Sequence, residues 1–120
     1  MTENNKVKVK IVTKTGDVPK YETAGSAGMD LKADLKTSVT LNPMERQLIP
    51  TGLFIELPIG YEAQVRARSG LSIKYGITLI NAIGTVDSDY RGELKVPLVN
   101  LGNEPFVIKH GERIAQLVVT

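Results

Sequence analysis

The chain has 120 residues, a formal net charge of +2 and no cysteine, so a single domain over 1–120 is expected, without disulfides or thiolate metal sites. A lone histidine, His110, rules out a multi-histidine metal centre, and the weak charge suits a small anionic ligand and does not call for nucleic acid. Two Phe, four Tyr and no Trp leave the core to Val, Ile and Leu, which suits sheets.

In chain order, the polar start Thr2-Glu-Asn-Asn-Lys6 offers no apolar leader core. No apolar run nears the roughly 20 residues of a membrane span, so a soluble, cytoplasmic protein without membrane contact is expected. Lys6-Val-Lys-Val-Lys-Ile11 alternates with period two. It predicts a strand with an apolar face and a lysine face, fit to blunt a sheet edge. Residues 16–28 read as a long surface loop. Short strands are predicted at Met29–Leu35, Ser38–Leu41, Arg46–Ile49, Leu53–Leu57 and Tyr61–Arg66. Turn signals separate them at Asn42-Pro43, Pro50-Thr-Gly52 and Pro58-Ile-Gly60. Ser69–Tyr75 is the one helical stretch, with Ser69 as its cap and Gly76 as its stop. Asn81–Gly92 reads as a hairpin with a polar tip, and strands at Glu93–Asn100, Phe106–Ile108 and Arg113–Thr120 complete the chain. Pro97 cannot donate to a ladder, so it marks an edge or a bulge. So many short strands predict an all-β, compact, mostly antiparallel barrel, sandwich or jelly roll with one short helix.

Four polar, glycine-containing clusters stand out. Ala24-Gly-Ser-Ala-Gly-Met-Asp-Leu31 is either a tight turn that aims Asp30 into a site or a loop whose Asp30 bonds local amides. Arg66-Ala-Arg-Ser-Gly-Leu71 joins the planar fork of Arg68, the Ser69 hydroxyl and the bare backbone of Gly70 at a helix start, which suits phosphate. Read blandly, it is an N-cap with a surface arginine. Asn81-Ala-Ile-Gly-Thr-Val-Asp-Ser-Asp-Tyr-Arg-Gly92 carries a carboxylate able to orient water, an aromatic able to lie against a sugar or base, and an amide able to read a base edge. Its turn-forming composition also fits a plain hairpin. His110-Gly-Glu-Arg-Ile-Ala-Gln116 places Gln116 as the polar exception in an apolar strand, where its amide must find a partner. His110 reads as a loop residue and is given no role.

Taken together, in this order and spacing, the clusters resemble the first four of the five motifs of the trimeric deoxyuridine triphosphatases (dUTP pyrophosphatases). The matched stretches are Ala24–Leu31, Arg68–Leu71 with Lys74–Ile77, Asn81–Gly92 and Gly111–Gln116. The third is the most specific, an Asn-x-x-Gly-x-x-Asp-x-Asp-Tyr-x-Gly pattern. The resemblance implies a β-barrel or jelly-roll subunit in a homotrimer, with sites between subunits. It implies dUTP as substrate and Mg²⁺ on the triphosphate. Asp87 then corresponds to the carboxylate that positions the attacking water at the α-phosphorus. Asn81, with backbone groups of Gly84, Thr85 and Val86, corresponds to the uracil reader. Tyr90 corresponds to the aromatic under the deoxyribose that leaves no space for a 2′-hydroxyl. Arg68, Ser69 and Gly70 correspond to a phosphate grip from a neighbouring subunit, and Gln116 to a phosphate-side contact. Asp30 corresponds to a carboxylate that supports the metal's water shell without direct ligation. The family's fifth motif, a Gly-rich C-terminal arm with an arginine and an aromatic, is absent from this sequence, which ends at Thr120 where the arm would begin, and a chain without it is expected to retain uracil recognition and turn over weakly. Two other readings are a dUTP-binding interaction module and a related dCTP deaminase. The deaminase needs a catalytic Glu where Pro97 stands before Asn100-Leu-Gly102.

Overall fold

A computed structural model describes residues 6–120, so most of the polar N-terminal stretch, Thr2–Asn5, lies outside the described residues. The elements are β1 (Lys10–Thr13), β2 (Met29–Lys32), β3 (Val39–Leu41), β4 (Arg46–Glu56), β5 (Ala63–Arg66), α1 (Ser69–Tyr75), β6 (Ile77–Leu79), β7 (Gly84–Val86), β8 (Glu93–Asn100), β9 (Phe106–Ile108) and β10 (Arg113–Val119). Two four-stranded sheets run β1-β4-β8-β6 and β2-β10-β5-β7, and β3 pairs with β9 in a small third sheet. Every strand pair is antiparallel. The all-β expectation with one short helix holds. None of the described helices is long and apolar enough to cross a membrane.

Period-two alternation builds the core between the two large sheets. Leu31, Ala63, Val65, Val86, Ala115 and Leu117 point inward from one, and Ile49, Leu53, Ile55, Ile77, Leu79, Leu94, Val96 and Leu98 from the other. Their aliphatic branched side chains fill the space that the missing tryptophan and scarce aromatics leave.

Several boundaries differ from the sequence reading, each for a physical reason. The lysine-rich strand starts later, at Lys10, and it does occupy a sheet edge. Pro50-Thr-Gly52 is no turn between two strands. It is a bulge inside the single eleven-residue strand β4. There Gly52 takes a φ of 71°, Thr51 Oγ1 donates to the Leu94 carbonyl at 2.6 Å, and the Gly52 amide donates to Glu93 Oε2 at 2.9 Å. The bulge keeps its backbone bonded while bending the strand. Two three-residue strands, β6 and β7, carry too few residues for a legible alternation. Pro97 lies on β8, which runs between β4 and β6 and is not an edge strand. Its carbonyl accepts from the Ile80 amide at 2.9 Å, so its missing N–H falls on the side where β6 has already ended. Asn100 is fully buried, with its side chain bonded to the Leu41 and Glu104 carbonyls and the Gly102 amide. That spends its amide on the fold.

Candidate active site

The outward face of the β2-β10-β5-β7 sheet is polar because the alternation that buries Leu31, Ala115, Leu117 and Val65 leaves Asp30, Gln116 and Arg66 outside. Register sets these three in one row, Asp30 opposite Gln116 and Gln116 opposite Arg66. Along β5, Gln64 Nε2 donates to Glu62 Oε1 at 2.8 Å and Arg66 Nε donates to Gln64 Oε1 at 3.0 Å.

Asp30 is the centre of a charged cluster. Its carboxylate is 14% exposed, with Oδ1 3.7 Å from Arg68 Nε and Oδ2 3.6 Å from Arg113 Nη1. Arg68 Nη1 also donates to the Arg113 carbonyl at 3.3 Å. Gly28 lets the incoming loop lie against β10, since a Cβ there would meet Val118 Cγ2 at 3.2 Å and the Leu117 carbonyl oxygen at 3.4 Å. Arg68 follows β5 in an extended conformation and is itself the N-cap of α1, with no side-chain cap hydrogen bond. Ser69 is therefore the first helical residue and not the cap. Ser69 and Gly70 are exposed, and the first-turn amides have no intrahelical acceptor. Gly76 ends the helix at a φ of 71°, as expected.

The Asn81–Gly92 stretch is not a hairpin. Its central strand β7 pairs with β5, whereas β6 before it and β8 after it belong to the other sheet. The chain crosses between sheets through two turns. In the first, the Ala82 amide donates to the Leu79 carbonyl at 3.1 Å and the Ile83 amide to that of Asn81 at 2.7 Å. Ala82 takes a φ of 65°, a left-handed conformation that an alanine adopts only when its surroundings impose it. Asn81 Nδ2 lies against Gly84, 3.5 Å from where a Cβ would stand, an ordinary contact distance. In the second turn the Tyr90 amide donates to the Asp87 carbonyl at 3.1 Å. Tyr90 Oη donates to the Glu93 carbonyl at 2.7 Å. Its ring crosses Gly92 so closely that a Cβ there would lie 2.7 Å from Cζ. Asp87, Ser88 and Asp89 line an open concavity with Glu62 and Gln64.

The sequence-predicted residues therefore fall in two groups. Asp30, Arg68 and Gln116 are brought together, with Ser69 and Gly70 beside them. Asn81, Gly84, Thr85, Val86, Asp87 and Tyr90 share the β7 edge. From β2 to β7 there are three strand intervals. Asp30 lies in the Arg66 row, and Asp87 follows Val86, which pairs with Ala63. That places Asp87 about four residues down the sheet and roughly 20 Å from Asp30 at ordinary strand spacings. Sequence reasoning missed Arg113 and Gly92. The adjacent Ile114-Ala115 pair, which breaks the alternation of β10, was the available signal for the first. His110 has a structural role: its Nδ1 accepts from the Leu35 amide at 3.1 Å, which ties the turn before β10 to the segment that follows β2. Among the described residues no three His, Asp or Glu side chains gather as a metal site.

A sequence model of the dUTPase family matches residues 14–120. The chain belongs to the dUTPase family. It is 59% identical over 114 residues to the deoxyuridine 5'-triphosphate nucleotidohydrolase of Finegoldia magna, covering 94% of this chain and 80% of that one. It is 60% identical over 115 residues to the enzyme of the same name from Fusobacterium nucleatum, covering 95% and 79%. The dUTPase of Streptococcus mutans superposes with a TM-score of 0.82 at 30% identity, covering 93% of each chain. The dUTPase match spans all four polar clusters and both groups of site residues.

Proposed function

We propose that this chain hydrolyses deoxyuridine triphosphate to deoxyuridine monophosphate and pyrophosphate, at sites assembled between copies in a homotrimer. The observation that carries the second half is the separation just described. A water held by Asp87 and a phosphate chain held by Arg68 must meet at one α-phosphorus, and within one copy the backbone of Asp30, the ion-pair partner of Arg68, is roughly 20 Å from that of Asp87 by strand spacing. Two copies head to tail supply both at once.

In this reading Asp87 orients and deprotonates the water for in-line attack, and the pyrophosphate leaves with the bridging oxygen. Arg68, the Ser69 hydroxyl and the Gly70 backbone hold the phosphates, with Gln116 beside them, and offset the charge that builds on the leaving group. The base is read at the β7 edge. Among the described residues no strand pairs on the far side of β7, so those backbone donors and acceptors of the Gly84, Thr85 and Val86 stretch that are not turned toward β5 face outward for a uracil edge, joined by the Asn81 amide. A site built from such hydrogen bonds rejects cytosine, whose pattern differs. Tyr90 packs under the deoxyribose, and its locked ring denies space to a 2′-hydroxyl.

The residues present fit a divalent ion that arrives on the phosphates. Both Asp30 contacts, at 3.6 and 3.7 Å, exceed hydrogen-bond length, so the carboxylate keeps lone pairs for a metal's water. Bound Mg²⁺ would neutralise charge on the triphosphate, with Asp30 holding it through water.

Mixing two inactive variants, Asp87→Asn and Arg68→Ala, tests the reading. Re-equilibrated trimers should regain about a quarter of the unmodified rate of pyrophosphate release from dUTP with Mg²⁺, because one site in four pairs an intact Asp87 with an intact Arg68 from another copy. No recovery, with subunit exchange verified, would sink the shared site. Ammonia release from dCTP would point to deamination instead, and dUTP binding without pyrophosphate release by the unmodified chain would point to a binding module.

A further inference from the structure

Strand β10 contains an irregularity that places a charge. Arg113 pairs with Lys32 and Ala115 with Leu31, so β10 advances two residues where β2 advances one. In a regular strand Arg113, three residues before Gln116, would point to the opposite face from it, into the core. The bulge instead sends both Ile114 and Ala115 inward, 2% and 0% exposed, and returns Arg113 to the outer face. There its guanidinium meets Asp30. Bulges re-aim side chains beside functional sites in this way.

We infer that Arg113 is a positioning residue for the phosphate grip, acting through Asp30 on Arg68. The inference rests on the reading of Arg68 as that grip. Asp30 is the shared partner: one oxygen faces each guanidinium, and the carboxylate is largely buried, so its direction is restrained. The Arg113 carbonyl supplies a second hold by accepting from Arg68 Nη1. Arg68 is thus fixed at two atoms, Nε through Asp30 and Nη1 through the backbone of residue 113. A third element, the side chain of Arg113, keeps Asp30 from following Arg68. Arg113 is half-exposed and needs no contact with the nucleotide to act. Without its charge, Asp30 is free to close fully on Arg68 and pull the guanidinium away from the phosphates.

The test compares ligands with and without a phosphate chain. In Arg113→Gln, affinity for α,β-imido-dUTP should fall roughly 10-fold, the loss expected for a misplaced guanidinium grip, while affinity for dUMP stays within about 2-fold. KM for dUTP should rise more than kcat falls. Arg113→Lys, which keeps a cation beside Asp30, should recover most of the loss. Arg68→Ala is measured alongside. A phosphate-dependent loss in Arg68→Ala with none in Arg113→Gln overturns the positioning role and leaves the grip standing. No such loss in either variant overturns both. Equal weakening of dUMP and the imido analogue in Arg113→Gln, or a glutamine variant that lysine cannot rescue, reduces residue 113 to a structural role.

Discussion

The Asp30–Arg68–Arg113 cluster and the Asn81–Gly92 segment sit on the same sheet and are held by different means. The cluster joins β2, the end of β5 and the start of β10, residues far apart in sequence that strand register brings together. Its two ion pairs to Asp30 are longer than hydrogen bonds, and one hydrogen bond, from Arg68 Nη1 to the Arg113 carbonyl, ties the two arginines together. The segment is more local: apart from the pairing of β7 with β5, its two turns, the Tyr90 hydrogen bond to Glu93 and the packing of the ring on Gly92 join residues no more than a few apart in the chain. Charge set by long-range register suits a grip on a flexible polyanion, which tolerates small displacements because Coulomb forces fall off slowly. Close steric contact set by local turns suits discrimination between bases and sugars that differ by a methyl or a hydroxyl.

The largest effect that separates the two regions belongs to chemistry. Asp87→Asn should lower turnover on the order of 10²-fold or more while α,β-imido-dUTP still binds. The substitution leaves both the guanidinium cluster and the turn around Asn81 intact. Turnover like that of the unmodified chain would remove Asp87 from its role, and a loss of binding would show that the grip extends to the second turn.

Much of this division was legible in the sequence, and where it was not the cause is physical. Strands β8 and β9 and the extent of α1 followed from alternation and helix-stop chemistry, because each is punctuated by glycine or proline at its true end. Pro50-Thr-Gly52 misled because a bulge and a turn use the same residues. Only the pairing partners Leu94 and Glu93 distinguish them. The hairpin reading of Asn81–Gly92 failed for a similar reason: turn residues show that the chain reverses, not which sheet it reverses into. Asp30, Arg68, Asp87 and Gln116 were singled out by residue type. That the first, second and fourth meet while the third lies at the far edge is a matter of strand order, which no local pattern carries.

A steric lock should break with a single carbon. Gly92→Ala would put a Cβ 2.7 Å from Tyr90 Cζ, so the ring must move. The fold should survive, because Gly92 is only part-buried and lies in the connection between β7 and β8, outside the core. Discrimination between dUTP and UTP, as the ratio of kcat/KM values, should then fall by roughly 10-fold, the order of a lost close contact in a specificity pocket. Tyr90→Ala should lower it at least as far. Affinity for pyrophosphate should not change in either variant. Unaltered selectivity in both would refute the sugar-packing role of Tyr90.

The smallest effect compares strain inside and outside the site. Among the described residues Met44 and Ala82 are the non-glycine positions with positive φ, at 72° and 65°. Met44 lies in the turn between β3 and β4, is 75% exposed, and donates its amide to the Asn100 carbonyl. Ala82 lies beside Asn81, the proposed base reader. Replacing either by glycine removes about 1 kcal/mol of left-handed strain and restores part of it through unfolded-chain entropy, so each should stabilise the fold by ~0.5 kcal/mol in urea unfolding. Their effects on function should diverge. Met44→Gly should leave dUMP affinity unchanged. Ala82→Gly should weaken it by roughly 3-fold, because a glycine at residue 82 frees the turn that holds Asn81 toward uracil. Equal affinity in the two variants would mean that the strain at Ala82 is a by-product of the crossing between sheets, with no part in fixing the base reader.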